Sequence, residues 1–151
     1  SKLDSPSPVI SYAEVKFIEA EALERTGGDG SEALEEAIRA NMSYLGVTTA
    51  NTNDYISSIG DANIETIITE KYKTLYGQSQ MQVWNGYRRT GFPNLTPNPD
   101  GENGNNPSGI IPRRLLYPIS ERQSNPDAYE AAIQAQGGHL LDDDLWVFPR
   151  N

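Results

Sequence analysis

Tyr12-Ala13-Glu14-Val15-Lys16-Phe17-Ile18-Glu19-Ala20-Glu21-Ala22 is the stretch that decides the fold. Tyr12, Val15, Phe17, Ile18, Ala22 and Leu23 recur at helical spacing. Ser11 stands three residues before Glu14, the spacing of a capping box, and Gly27-Gly28 supplies the stop. The pattern predicts a helix over residues 11–26. Its apolar residues, Tyr12, Val15, Phe17 and Ile18, carry more area than one neighbouring helix can cover.

Working outward, Asp29 or Ser31 is placed to cap a second helix in which Ala33, Leu34, Ala37, Ile38 and Leu45 share a face. Gly46 and a Thr/Asn-rich turn end it. The short Gly27-Gly28-Asp29-Gly30 link makes the two helices an antiparallel hairpin. A third helix is predicted from near Asp61 to Gly77, on the stripe Ile64, Ile67, Ile68, Tyr72 and Leu75. A fourth runs from about Ser79 to Arg89 with Met81, Trp84 and Tyr87 at three-residue spacing.

Residues 1–10 read as a leader entering from whatever precedes them, and residues 11–92 as two helix pairs. Residues 93–112, rich in Pro, Asn and Gly, cannot hold a helix and read as a long loop. In the terminal segment, 113–151, Pro126 opens a short helix over Asp127–Gln136, and Leu145-Trp146-Val147-Phe148 reads as extended. No hairpin or strand ladder is legible, so the expected fold is all-α, built from antiparallel helix pairs with little or no sheet.

Bulk properties narrow the chemistry. The chain of 151 residues is sized for one ordinary domain, and no apolar run in it could span a bilayer. A net charge of −9 repels nucleic-acid phosphates, so no nucleic-acid partner is expected. With no cysteine and the single histidine His139, thiolate sites, thiol nucleophiles and multi-histidine metal cages are excluded. His139 lies in Gly137-Gly138-His139-Leu140, where an exposed or locally hydrogen-bonded turn histidine is expected. Neither a cofactor nor a metal is implied, and no enzyme activity is expected.

The first helix string resembles the tetratricopeptide-like helix of the SusD/RagB family, which reads approximately Y-A-E-V-x-F-L-x-A-E-A. Ile67-Ile68-Thr69-Glu70-Lys71-Tyr72, then Leu75-Tyr76-Gly77, then Trp84-Asn85-Gly86-Tyr87-Arg88-Arg89-Thr90-Gly91-Phe92-Pro93 resemble a helical pair of the same family, in order and spacing. Arg113-Arg114-Leu115-Leu116-Tyr117-Pro118-Ile119-Ser120-Glu121 is similar to its R-L-x-Y-P-x-S-E segment, whereas the family's terminal tryptophan pair is replaced by Trp146-Val147-Phe148. The resemblance implies the C-terminal portion of a longer lipoprotein on the extracellular face of the outer membrane. It implies capture of oligosaccharide or peptide nutrient beside a TonB-dependent, SusC-like outer-membrane transporter. The alternative is a structural scaffold segment with no ligand site of its own. In an array of helix pairs, the uncovered side of the first helix would face the rest of its own chain or a second copy.

Several constellations remain. Glu14 and Glu21, two turns apart beside Phe17 and Ile18, need partners, and Arg88, Arg89, Arg113 and Arg114 can supply them. A structural ion pair between helices is expected, and a ligand-reading arginine is the alternative. Asp142-Asp143-Asp144 reads as a solvated acidic turn, with a calcium-assisted turn as the alternative. The stretch from Asn98 fails as an EF-hand because its sixth position is Asn103 and its twelfth Gly109. Tyr72, Tyr76, Trp84 and Tyr87 are expected in helix packing, leaving Phe92, Tyr117 and Trp146 as the aromatic residues placed to reach a ligand.

Overall fold

The computed structural model describes residues 9–145 and 147. Seven α-helices and no strand occur among them, so the chain is all-α. Two compact units divide at Pro93 and Asn94.

The first unit holds α1 (Tyr12–Arg25), α2 (Ser31–Tyr44), α3 (Thr49–Ser58), α4 (Ile64–Leu75) and α5 (Gln80–Thr90). Ser11 Oγ accepts the Glu14 N–H at 3.1 Å, which fixes the start of α1. Its end is a Schellman turn: Gly28 N–H reaches Leu23 O at 2.9 Å and Gly27 N–H reaches Glu24 O, with Gly27 at φ +80°. The chain then turns straight into α2. Gly30 makes the close approach possible, because a Cβ there would lie 2.7 Å from Ala20 O. Glu24 Oε1 accepts the Gly30 N–H at 2.8 Å and pins the same crossing.

Small residues on the facing sides, Ala13 and Ala20 on α1 and Ala33 and Ala37 on α2, bring the two helices together around Phe17, Leu34 and Ile38. Ile67 of α4 completes this core, and α4 packs against both α1 and α2. Phe17 and Ile67 have no exposed area. Asn63 caps α4 by accepting the Thr66 N–H at 2.9 Å, and α5 packs on α4.

The expected Thr/Asn-rich turn after Gly46 is instead helical, as α3. Thr48 Oγ1 caps it through the Asn51 N–H, and Thr52 is buried while Tyr55, Ile56 and Ile59 pack against the core. Threonine and asparagine are weak helix formers, but a capped segment with an apolar side to bury overrides propensity. The region 11–92 therefore carries five helices rather than two pairs. Gly30, not Asp29 or Ser31, is the residue before α2, and Asp29 Oδ1 accepts the Ser31 N–H at 2.9 Å.

The second unit holds α6 (Ile119–Ser124) and α7 (Pro126–Gln136), preceded by a loop without helix. Neither helix has a fully buried residue. Among the described residues of this unit the buried ones are polar: Asn106, Arg114 and Asp142. Asn106 Nδ2 donates to Gly101 O at 3.1 Å and Ile110 O at 2.9 Å, while Asp142 Oδ2 accepts the Ser108 N–H at 2.9 Å. Backbone bonds from Arg113 N–H to Leu141 O (2.8 Å) and from Leu141 N–H to Asn105 O (2.7 Å) tie the loop to the segment after α7.

The Asp142–Asp144 turn is thus not simply solvated. Asp142 holds Ser108, Asp143 Oδ2 accepts the Leu140 N–H at 2.7 Å, and Asp144 lies 3.9 Å from Arg113 Nε. Backbone N–H groups left over by an irregular loop need acceptors, and carboxylates supply them. Trp146 and Phe148 of the expected extended segment lie outside the described residues. No helix among the described residues is long and apolar enough to cross a membrane.

Candidate functional site

Glu21 stands at the centre of the first unit's charged cluster. It is buried on α1, and Arg89 of α5 closes on it with both terminal nitrogens, Nη1 on Oε1 and Nη2 on Oε2, the latter at 2.8 Å. Arg25 Nε adds a third bond at 2.8 Å. Burial pushes the Glu21 carboxyl up, but the bonds from Arg89 and Arg25 outweigh it and hold the carboxyl below its usual range. The same bond from Glu21 raises the Arg89 guanidinium against its own desolvation. Lys71 of α4 feels both Glu14 and Glu21, yet burial and the Arg89 charge leave its ammonium below the usual value.

Of the residues singled out by sequence, the structure joins Glu21 with Arg89. Glu14 is buried, and the Lys71 charge is near it. Arg88 stacks on Trp84, its guanidinium carbon 4.3 Å from the ring centroid, and donates to Asn85 Oδ1 at 3.3 Å. Arg113 and Arg114 are engaged inside the second unit, Arg113 with Asp144. Arg114 is buried and donates to Gly138 O at 2.9 Å and to Gln136 Oε1 at 3.3 Å.

Tyr117 belongs to the Arg114 network. Its hydroxyl accepts from Gln136 Nε2 at 2.6 Å, its ring meets Tyr129 edge-on at 5.7 Å between centroids, and the Arg114 guanidinium lies 5.6 Å from that ring. Phe92 is half-buried at the end of the first unit, its N–H on Thr90 Oγ1 at 3.2 Å. Trp146 lies outside the described residues. Tyr72 and Tyr87 are half-buried, whereas Tyr76, expected in helix packing, is mostly exposed because it follows the last turn of α4.

Two further features escaped the sequence reading. A groove of about 290 Å³ is lined by Ser11, Tyr12, Asn41, Tyr44, Thr74 and Gln78. Tyr12 opens α1 and Tyr44 closes α2, so the hairpin itself brings them together, and that much could have been read from their places in the sequence. Across the unit, Tyr55 donates to buried Glu70 at 2.8 Å, and Lys73 donates to Glu70 at 2.5 Å and to the Tyr55 hydroxyl at 2.9 Å. The Glu70/Lys73 spacing signals a helical ion pair, but nothing in sequence points to Tyr55. His139 is exposed, and no cluster of three or more His, Cys, Asp or Glu side chains fit to hold a metal occurs among the described residues.

Compared with known proteins, residues 1–118 match the family model described as SusD-like, starch-binding and associating with the outer membrane. A SusD-like protein from Bacteroidetes is similar at 28% identity and TM-score 0.81, over 97% of this chain and 31% of that one. A SusD homologue from Bacteroides fragilis matches at 30% identity and TM-score 0.79, over 93% of this chain and 35% of that one. A chitin-binding protein matches at 25% identity and TM-score 0.75, over 93% and 33%. The chain thus spans about a third of the length of these solved structures. None of the curated proteins matches it.

Proposed function

The chain belongs to the SusD-like family, and from that premise we propose that it serves glycan capture at the outer face of the outer membrane, beside a TonB-dependent, SusC-like transporter. The match to a family described as starch-binding, over residues 1–118, is the observation that carries this reading. The likeness to a chitin-binding protein supports the same ligand class. The role is binding without turnover. Phe92, Tyr117 and Trp146 are the aromatic residues we assign to sugar contact, since a ring face complements the C–H face of a pyranose. Oligosaccharide is favoured over peptide because both findings name a polysaccharide.

The full polypeptide encoded by its gene, titrated calorimetrically with maltohexaose and chitohexaose, tests the reading. Saturable binding of either, without release of shorter sugars, supports it, and no binding to these or to other glycans overturns it. Recovery of a β-barrel transporter with the protein from detergent-solubilised outer membranes tests the partnership.

A scaffold role for this region is the second reading, favoured by one observation: Tyr117 is engaged on its hydroxyl by Gln136 and on its ring by Tyr129 and Arg114. Binding by the full polypeptide that survives Tyr117→Ala and Phe92→Ala would favour it.

A further inference from the structure

Tyr117 has a hydroxyl proton that nothing in its network uses. The phenolic oxygen accepts from Gln136 Nε2 at 2.6 Å, and among the described residues no acceptor takes the O–H in return. Arg114 fixes the direction of that bond. A guanidinium only donates, so the Gln136 side chain must turn its oxygen to Arg114 Nη2, 3.3 Å away, which leaves the amide nitrogen for Tyr117. The opposite amide orientation would set donor against donor. Tyr117 is therefore the receiving partner of Gln136, and its own proton has to point elsewhere.

Three donors thus run in series, from Arg114 through Gln136 at the end of α7 to Tyr117. The cation at the head is 4% exposed and is held on a second side by Gly138 O, at 2.9 Å from Nη1. Hydrogen bonds in a chain polarise one another, more so away from water and with a charge at one end. The last O–H of the series is a strengthened donor.

The surroundings decide what can receive it. Tyr117 is half-buried, while Leu115, Leu116 and Ile119 beside it in the chain are 66%, 38% and 75% exposed, so the segment lies at the surface. The ring is less free than the hydroxyl, with Tyr129 edge-on to it and the Arg114 guanidinium near it. Resting on the glycan-capture reading, we infer that Tyr117 binds sugar through its hydroxyl rather than its ring face. It donates to a sugar oxygen that only accepts: a ring oxygen, a glycosidic bridge or an acetamido carbonyl. Arg114 and Gln136 are positioning residues that set the direction and strength of this donor without touching the sugar.

Gln136→Glu separates this role from a structural one, because it keeps the side-chain shape and the Arg114 contact but reverses the bond to Tyr117. A carboxylate at position 136 accepts from Arg114 and from the phenol alike, which turns the Tyr117 proton inward. The new ion pair with buried Arg114 offsets the unfavourable negative charge at the C-terminal end of α7. The full polypeptide its gene encodes is compared with its Gln136→Glu and Tyr117→Phe variants by thermal melting and by calorimetric titration with maltohexaose and chitohexaose. Gln136→Glu is expected to melt no lower than the parent, and each variant to bind about five- to tenfold more weakly, as loss of one ordinary hydrogen bond requires. A loss confined to chitohexaose identifies an acetamido carbonyl as the acceptor, and a loss with both sugars a ring or bridging oxygen. Parent affinity in either variant overturns the inference. So does weaker binding accompanied by lower melting in both, which would mark a structural role. Failure of the parent to bind either sugar would refute the proposed function and this donor role with it, whereas binding that both substitutions leave unchanged refutes this inference alone.

Discussion

Arg89 of α5 grips Glu21 of α1 with both arms of its guanidinium across 68 residues of sequence. The bond joins the first helix of the unit to the last, and Arg25 on the neighbouring turn of α1 closes the group. Breaking a fully buried pair costs about 3–5 kcal/mol because one charge is stranded. Here Arg89 is 44% exposed and regains water when its partner goes, so the cost is smaller.

Glu21→Ala and Arg89→Ala are each expected to destabilise the chain by about 2 kcal/mol, discounted from the fully buried value. Arg89→Lys should recover less than half of that, since a point charge cannot make two parallel bonds to a carboxylate. Urea denaturation followed by circular dichroism measures all three, and a double-mutant cycle isolates the coupling.

The pH dependence has a definite sign. Glu21 titrates lower in the folded chain than in the unfolded one, where a glutamate titrates near about 4.3. Above that value both states are ionised and the stabilisation is fully present. As pH falls, the unfolded state takes up its proton first, and the stabilisation disappears once the folded carboxyl protonates as well. Denaturation at pH 7, 5 and 3.5 should show Glu21→Gln losing less stability on acidification than the parent.

Phe17 and Ile18 are adjacent on α1 and face opposite fates, one with no exposed area and one about half exposed at 48%. Phe17→Ala is expected to cost about 3–5 kcal/mol through lost burial and the cavity left behind. Ile18→Ala in the same chain should cost under about 1 kcal/mol. Equal losses would contradict the packing described.

Two glycines separate close approach from empty space. Gly30→Ala puts a methyl 2.7 Å from Ala20 O and should destabilise by about 1–3 kcal/mol as α1 and α2 are forced apart. Gly86→Ala, inside α5 with nothing within 4 Å of the new atom, should stabilise by about 0.5–1 kcal/mol through helix propensity. Thermal melts of the two variants should move in opposite directions.

The legible parts of the sequence were those in which local signals agreed. Ser11, the stripe through Phe17 and the Gly27-Gly28 stop all say the same thing about α1, and the hairpin with α2 follows from a short link. The helix α3 was hidden because Thr48 to Ser58 is rich in turn-forming residues, and only burial of Thr52 and the contacts of Tyr55 and Ile56 decide for helix. Adjacent arginines on a helix point about 100° apart, so Arg88 and Arg89 cannot both face α1, yet composition gives no way to choose between them. The acidic run failed for a different reason. The partner of Asp142 is a backbone N–H 34 residues away, and main-chain donors carry no sequence signature.

The buried polar residues of the second unit bear on its thermodynamics. Among its described residues Asn106, Arg114 and Asp142 are the buried ones, where the first unit buries mostly apolar side chains, while Leu115 and Ile119 stand 66% and 75% exposed. Exposing those three side chains on unfolding adds amide, guanidinium and carboxylate surface, which lowers the heat-capacity increment that apolar exposure raises. Each of them therefore offsets part of the increment that half-buried residues such as Ile110, Ile133 and Leu141 supply, and so flattens the temperature dependence of stability. The Phe17 core, by contrast, should follow the strongly curved profile of a unit held by hydrocarbon burial.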